Sequence, residues 1–288
     1  MERRQFLITS GLSALAAQSG SSQTGGTNAG KLSRICVSTW SFHTLFEKPS
    51  AATGKKMEAL EFPEMIADRY HVHNVEMVLP HFASTDASYV SEFKSRLAKA
   101  HSKVINIPVD YDELWEKPAL SSTDAREREH AIGLYKRGID MAAAVGSPTA
   151  RCDPGTVNLE DPALTIASYK TLVEYGKAKG VRIIVENHGG ISQHPEVLVK
   201  ILEASGAGAL PDIGNFPDEE TRERGLRLMY PLAAGVSHAK MGPRFDLGKC
   251  VQIAKDAGYT GLFSIEAGGR GDPYEVVQQI LDALVQVL

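Results

Sequence analysis

The sequence predicts one α/β domain, a single (β/α)8 barrel, and two observations carry that prediction. Strand-like and helix-like segments alternate regularly from residue 32 to the C-terminus. Eight such strand-and-helix units in roughly 255 residues suit a closed barrel. An open, doubly wound sheet is the rival, but it needs a glycine-rich phosphate loop after its first strand. Residues 38–42 (Ser-Thr-Trp-Ser-Phe) do not form such a loop.

The predicted strands are short apolar runs bounded by turn residues, which is typical of buried parallel strands. The fourth is the weakest, because it has few β-branched residues. In chain order, the predicted strands are residues 34–41, 72–79, 104–109, 148–153, 181–185, 208–211, 234–237 and 261–265.

The predicted helices follow the strands one by one, and each has local signals. Val90, Phe93 and Leu97 recur at helical spacing in the second helix. Capping residues 121–124 precede the third helix, and Gly180 ends the fourth. In chain order, the predicted helices are residues 62–70, 86–100, 125–145, 161–179, 195–204, 217–228, 246–257 and 272–287.

The last four predicted strands each run into a residue that can bind a metal. These residues are Glu186, Asp212, His238 and Glu266, and they lie 26 to 28 positions apart. That separation leaves room for one strand, one helix and two loops, so a possible metal ligand follows the strand in each of the last four strand-and-helix units. The carboxyl ends of barrel strands converge on one face, where active sites lie. The sequence therefore predicts that the four side chains meet.

Three carboxylates and one imidazole are suited to a divalent cation. An oxygen-rich set with one nitrogen favours Mn2+ or Mg2+, and Co2+ or Zn2+ also fit. Four protein ligands on an octahedral ion leave two places, which adjacent oxygens of a polyol or hydroxy-ketone would fill. A divalent ion also offsets the repulsion between the carboxylates, which otherwise raises the pKa of at least one of them.

Composition, net charge and cysteine spacing limit the kinds of partner and site that the chain is expected to have. Hydrophobic content is 43% and charged content 23%, as in ordinary soluble globular proteins. The net charge of −4 does not point to a nucleic-acid partner, which would favour a basic face. Cys36, Cys152 and Cys250 are scattered, so they predict buried core thiols and no disulfide framework or CxxC metal site.

Residues 1–30 are predicted to be an export signal and a flexible linker, with the barrel over residues 31–288. The order Arg3-Arg4-Gln5-Phe6-Leu7 resembles a twin-arginine signal, with a generic secretory signal as the alternative. The apolar run 6–17 is too short to span a bilayer core of about 30 Å. We therefore expect a periplasmic protein without stable membrane insertion.

At the four strand ends the sequence resembles the xylose-isomerase-like TIM-barrel superfamily of sugar isomerases and epimerases. Its members include ketose 3-epimerases, hydroxypyruvate isomerase and inosose dehydratases. The family pattern Glu, Asp, His, Glu falls on the four residues named above. Residues 186–190 (Glu-Asn-His-Gly-Gly) and 238–240 (His-Ala-Lys) are similar to family segments, and Arg244 matches a substrate-contacting arginine.

The resemblance implies a metal-dependent isomerase or epimerase acting on a small sugar or keto-sugar through an enediolate. Glu186 and Glu266 would be the acid/base pair as well as metal ligands, and Asp212 and His238 would be ligands only. Many relatives are dimers or tetramers, so a homo-oligomer is compatible with the resemblance. Further candidates for substrate contacts are His188, Lys240, Trp40 and His43. Each has an alternative role: His188 could be an outer hydrogen-bond partner, Lys240 could form a salt bridge to Glu266, and Trp40 and His43 could pack the mouth of the barrel.

The sequence departs from the family pattern at two positions. Epimerases often carry His where this chain has Asn215, which can bond a sugar hydroxyl but cannot transfer a proton near pH 7. Hydride-shifting xylose isomerases carry Lys where this chain has His188, so xylose isomerase activity is disfavoured. Two alternatives stay open: a lyase or dehydratase acting on inososes or 3-keto-glycosides, and a non-catalytic exported sugar-binding barrel.

Overall fold

The computed structural model describes residues 28–50, 53–115, 117–268 and 271–288. These residues form eight parallel strands in the order β6-β5-β4-β3-β2-β1-β8-β7. Backbone hydrogen bonds also join β6 to β7: Ala234 N donates to Ala209 O at 3.0 Å, and His238 N donates to Pro211 O at 2.9 Å. The predicted (β/α)8 barrel is therefore confirmed. The strands are β1 Ile35–Ser38, β2 Asn74–Glu76, β3 Lys103–Pro108, β4 Thr149–Arg151, β5 Arg182–Glu186, β6 Gly208–Leu210, β7 Val236–Ala239 and β8 Leu262–Ile265.

Each strand is followed by a helix on the outside of the barrel. The helix bounds agree with the predicted ones to within two residues. These eight helices are α1 Phe62–Tyr70, α2 Ala87–Lys99, α3 Ala125–Val145, α4 Ala163–Lys179, α5 Pro195–Ser205, α6 Glu219–Met229, α7 Leu247–Asp256 and α8 Pro273–Val287, and a further short helix, His43–Glu47, precedes α1. None of the helices in the described part of the chain has the length and apolar character of a membrane span. The predicted signal and linker, residues 1–30, lie almost entirely outside the described residues.

The prediction made the first strand too long. It was expected to continue to residue 41, but the backbone turns into a 3-10 helix at Thr39–Phe42. The cause is Ser38, whose hydroxyl accepts a hydrogen bond from Trp40 N at 3.2 Å. A side chain that bonds the backbone two residues ahead competes with the strand ladder.

The barrel interior has an apolar layer beneath a polar one. Side chains two positions apart on a strand point to the same face. Ile184 therefore lies below Glu186, and Leu210 lies below Asp212. The apolar layer consists of Cys36, Ile105, Ile184, Leu210, Ala234, Val236 and Leu262. Because this layer seals the barrel from below, polar side chains at the strand ends are buried yet face the open end. The three cysteines are buried free thiols, as predicted.

Candidate functional site

The structure brings together the four strand-end residues that the sequence singled out. Glu186 ends β5, Asp212 follows β6, His238 lies in β7 and Glu266 follows β8. One ligand atom from each lies within 4.8 Å of the others, and all four residues are buried. We call this group the strand-end cluster.

The imidazole of His238 is held by different groups on its two ring nitrogens. Nε2 lies 3.1 Å from Glu76 Oε1. Burial by itself would lower the pKa of His238, but the surrounding carboxylates, Glu266 first, raise it well above its usual range. Nδ1 faces one oxygen of each cluster carboxylate, at 3.2 Å for Glu186, 3.4 Å for Glu266 and 3.6 Å for Asp212.

Asp212 and Glu186 are fixed by amide groups around them. Asp212 Oδ1 accepts from the backbone N of Gly214 at 2.6 Å and of Asn215 at 3.1 Å. The Asn187 side chain exchanges two hydrogen bonds with the Asp212 backbone, at 2.9 and 2.8 Å. Asn215 Nδ2 donates to Glu186 Oε1 at 2.9 Å. Because each carboxylate is oriented before any ligand arrives, the cluster is preorganised.

Lys240 joins the cluster through ion pairs. Its Nζ lies 2.6 Å from Asp212 Oδ2 and 2.9 Å from Glu266 Oε2, and donates to Asn215 Oδ1 at 3.1 Å. Burial would lower the pKa of Lys240, but the Asp212 and Glu266 carboxylates raise it above its ordinary value. The structure thus shows the salt bridge to Glu266 that the sequence left as one of two roles. A role in binding substrate stays a prediction.

Arg151, at the end of β4, is a charged partner that the sequence analysis missed. Its guanidinium is 3% exposed and contacts Glu186 and Asp110, with Asp153 Oδ2 at 3.5 Å. Burial raises the pKa of Glu186, but Arg151 and then His238 outweigh it and hold that pKa well below its usual value. A signal was present in the sequence: two charged residues, Arg151 and Asp153, two positions apart in an otherwise uncharged predicted strand.

His188 is paired with a second residue that the sequence analysis missed. Its Nδ1 lies 2.7 Å from Asp153 Oδ2, and its ring packs against Trp115 with centroids 4.4 Å apart. Burial would lower the pKa of His188, but the carboxylates of Glu186 and Asp153 outweigh it and raise it to about 9. The Asp153–His188 pair lies beside Glu186, and these carboxylates favour the protonated imidazole.

The other predicted contact residues lie farther out. A cavity of 590 Å³ opens beside the cluster, and Trp40 and His188 line it together with residues that follow β3, β4 and β5. His43 stacks on Trp40 with centroids 4.7 Å apart. Arg244 lies in an exposed turn after β7, where its carbonyl oxygen accepts from Arg222 Nη1 at 3.3 Å.

The donor set fits a divalent cation. Oxygen ligands lie about 2.0–2.6 Å from Mg2+ or Ca2+, so two ligands of one ion are at most about 4–5 Å apart. The 4.8 Å spread of the strand-end cluster meets this limit. Asp153, Glu186 and His188 form a second close group. This second group shares Glu186 with the strand-end cluster, so the two are not independent sites.

Comparisons with known proteins agree with the fold. The model of the xylose isomerase-like TIM barrel family matches residues 68–286. No curated protein matches the chain in sequence. Three similar solved structures have low sequence identity to this chain, so the likeness is one of fold alone. A xylose isomerase domain protein from Planctomyces limnophilus is 16% identical with a TM-score of 0.66, and the match covers 88% of this chain and 96% of that chain. The 3-keto-D-glucoside 4-epimerase YcjR from E. coli is 13% identical with a TM-score of 0.63, covering 88% of this chain and 98% of that chain. A xylose isomerase-like TIM barrel protein from Mycobacterium smegmatis in complex with magnesium is 17% identical with a TM-score of 0.60, covering 88% of this chain and 97% of that chain.

Proposed function

The chain belongs to the xylose isomerase-like TIM barrel family, and from that premise we propose that it is a metal-dependent isomerase or epimerase of a small sugar or keto-sugar. The observation that supports this most directly is the strand-end cluster. It places two buried glutamates, Glu186 and Glu266, against the same ring nitrogen of His238 at the carboxyl ends of the barrel strands.

The four cluster residues would hold the ion, with Mn2+ or Mg2+ favoured by the donor set and Co2+ or Zn2+ also compatible. Such an ion would polarise the substrate carbonyl and stabilise the negative charge that develops on its oxygen. Glu186 and Glu266 would move the proton: one takes it from the carbon next to the carbonyl, and the other returns it on the opposite face. Arg151 contacts Glu186 and keeps it ionised, and the same positive charge lowers the basicity of Glu186.

The neighbouring polar side chains would orient the substrate. Asn215 and Lys240 lie at the edge of the cluster, where they would donate hydrogen bonds to hydroxyl or carbonyl oxygens. Trp40, backed by His43, would form a wall of the substrate cavity. We assign Arg244 to substrate binding only through its match to the family arginine.

One observation favours a second candidate, a lyase that works through the same enediolate. The Asp153–His188 pair places a proton donor next to Glu186. In an elimination, a glutamate takes the proton from the carbon next to the carbonyl, and the electrons released expel an oxygen from the adjacent carbon. His188 would give its proton to that departing oxygen, as general acid. Inososes and 3-keto-glycosides are substrates on which this step is chemically available.

Incubation in deuterated water separates the candidates. An epimerase converts a ketose into an isomer of the same composition that gains one deuterium, whereas a lyase releases water or an aglycone from an inosose or 3-keto-glycoside. Glu186→Gln should abolish deuterium exchange while circular dichroism stays unchanged, and Glu174→Gln on the exposed face of α4 is the matched control. Unchanged exchange in Glu186→Gln would reject its role. Metal-dependent sugar binding by the wild type without turnover would support the sugar-binding alternative.

We also propose export to the periplasm, on the order of residues in the predicted signal. The paired arginines, Arg3 and Arg4, are the feature that the twin-arginine route recognises. Replacing both with lysine should retain the unprocessed chain in the cytoplasmic fraction. Normal export of that double variant would point to the generic secretory signal instead.

A further inference from the structure

We propose that the cavity beside the strand-end cluster binds an aromatic or other apolar group attached to the sugar, so that the substrate is a keto-sugar glycoside rather than a free sugar. This inference rests on the proposed function, because it takes the cluster as the place where the sugar reacts. We call the 590 Å³ space the side cavity.

The size of the side cavity is the first support. Its 590 Å³ lies within the range of about 300–1,000 Å³ that encloses drug-sized ligands. None of the four cluster residues lines it. A single sugar ring held at the cluster therefore leaves the side cavity for another part of the substrate.

The chemistry of the wall is the second support. Free sugars carry hydroxyls all round, and a hydroxyl buried against an apolar wall loses its hydrogen bonds. An aromatic ring gains from the same burial. The apolar side chains that line the side cavity include Leu114, Trp115, Val157, Leu159 and Ile191.

The exposure of these side chains is the third support. Among the described residues, five large hydrophobic side chains are exposed, and three of them line the side cavity: Trp40 at 41%, Trp115 at 47% and Leu159 at 39%. Large apolar side chains concentrated at one opening are typical of a binding site.

Three charged residues of the side cavity connect it to the strand-end cluster and give the substrate a direction. Asp110, Asp153 and His188 line it, and the first two contact Arg151, which contacts Glu186. His188 contacts both the charged residues and the apolar wall of the side cavity, because it bonds Asp153 and packs on Trp115. The bond between sugar and apolar group would therefore lie next to His188, with the sugar toward the cluster.

Binding without turnover tests the inference. Phenyl β-D-glucopyranoside and methyl β-D-glucopyranoside carry the same sugar and differ only in the group that the side cavity would take. Titration calorimetry on the full chain with Mn2+ should give an affinity for the phenyl glucoside about tenfold or more above that for the methyl glucoside. Equal affinities, or no binding of either glucoside, would overturn the proposal.

Two exposed leucines provide a matched pair of variants. Leu159 lines the side cavity, whereas Leu164, at 36% exposure, does not. Leu159→Ser should reduce the preference for the phenyl glucoside, and Leu164→Ser should leave it as in the wild type. An equal effect of both substitutions, or of neither, would contradict the placement of the phenyl group. Glucosides have no keto group to enolise, so these measurements are independent of the deuterium-exchange experiment that tests the proposed reaction.

Discussion

Glu76 and His238 are hydrogen-bonded across the barrel interior, with Oε1 3.1 Å from Nε2, although 162 positions separate them in the chain. Asn106 Nδ2 donates to the other oxygen of Glu76 at 2.9 Å. Because Nε2 is engaged by Glu76, Nδ1 is the nitrogen that faces the strand-end cluster. A carboxylate behind a histidine in this way fixes the ring and raises its basicity as a metal ligand.

Glu76→Gln should weaken metal binding without removing a ligand. Loss of an outer carboxylate partner typically lowers metal affinity by about 10–100-fold. Titration calorimetry, with Mn2+ added to the metal-free protein, measures the change in affinity. Glu203→Gln, on the exposed face of α5, is the control and should bind Mn2+ as the wild type does. Wild-type affinity in Glu76→Gln would contradict an orienting role for Glu76.

Arg151→Met should strongly destabilise the fold, because it leaves buried carboxylates without their countercharge. Breaking a buried ion pair by removing one partner costs about 3–5 kcal/mol. The free energy of unfolding from urea titrations at pH 7 measures the loss. In the control, Arg224→Met removes an arginine that lies 2.7 Å from Glu196 on the surface, and should cost less than about 1 kcal/mol. Similar losses in both variants would show that Arg151 does not carry this charge balance.

Two glycines of α3 should respond oppositely to alanine. A Cβ at Gly138 would lie 2.5 Å from both methyl groups of Val109, which is buried and stiff, so Gly138→Ala should cost about 1–3 kcal/mol. A Cβ at Gly133 would meet nothing within 4 Å. Gly133→Ala should therefore stabilise the protein by about 0.5–1 kcal/mol through helix propensity. Thermal unfolding of the two variants measures these changes. Unfolding midpoints that shift in the same direction in both would contradict the packing of α3 against Val109.

His81 should make the protein less stable in mild acid. Its ring stacks on Phe46 with centroids 4.2 Å apart. Burial, followed by repulsion from His43, lowers the pKa of His81 to about 4, against about 6.5 in an unfolded chain. The unfolded state therefore binds the extra proton first, so the contribution of His81 is complete above pH of about 6.5 and is lost as pH falls toward about 4.

His81→Phe removes this titration. Between pH 7 and pH 4 the variant should lose about 1–3 kcal/mol less stability than the wild type, as measured by urea unfolding at both values. At pH 7 the imidazole is neutral in both states, so any difference there reports packing alone. Parallel losses in the two proteins would show that His81 does not contribute to the acid sensitivity.

Much of the fold could be predicted because its signals are local. The period of apolar residues separates strands from helices, and glycines such as Gly180 mark helix ends. Strand ends were harder where a side chain bonds the backbone nearby, as Ser38 does after β1. The sequence could not identify His238 as the partner of Glu76, because the two residues lie 162 positions apart in the chain.

The sequence by itself determined which residues lie at the carboxyl ends of the strands, because one strand and one helix of ordinary length recur at a constant spacing. That fixed the four members of the strand-end cluster. Only the tertiary structure decided how their charges are balanced. Arg151 meets Glu186 from the neighbouring strand, and His188 meets Asp153, because parallel strands align residues about 35 positions apart in the chain. Such contacts depend on register and side-chain rotamer, which leave no periodic trace in one sequence.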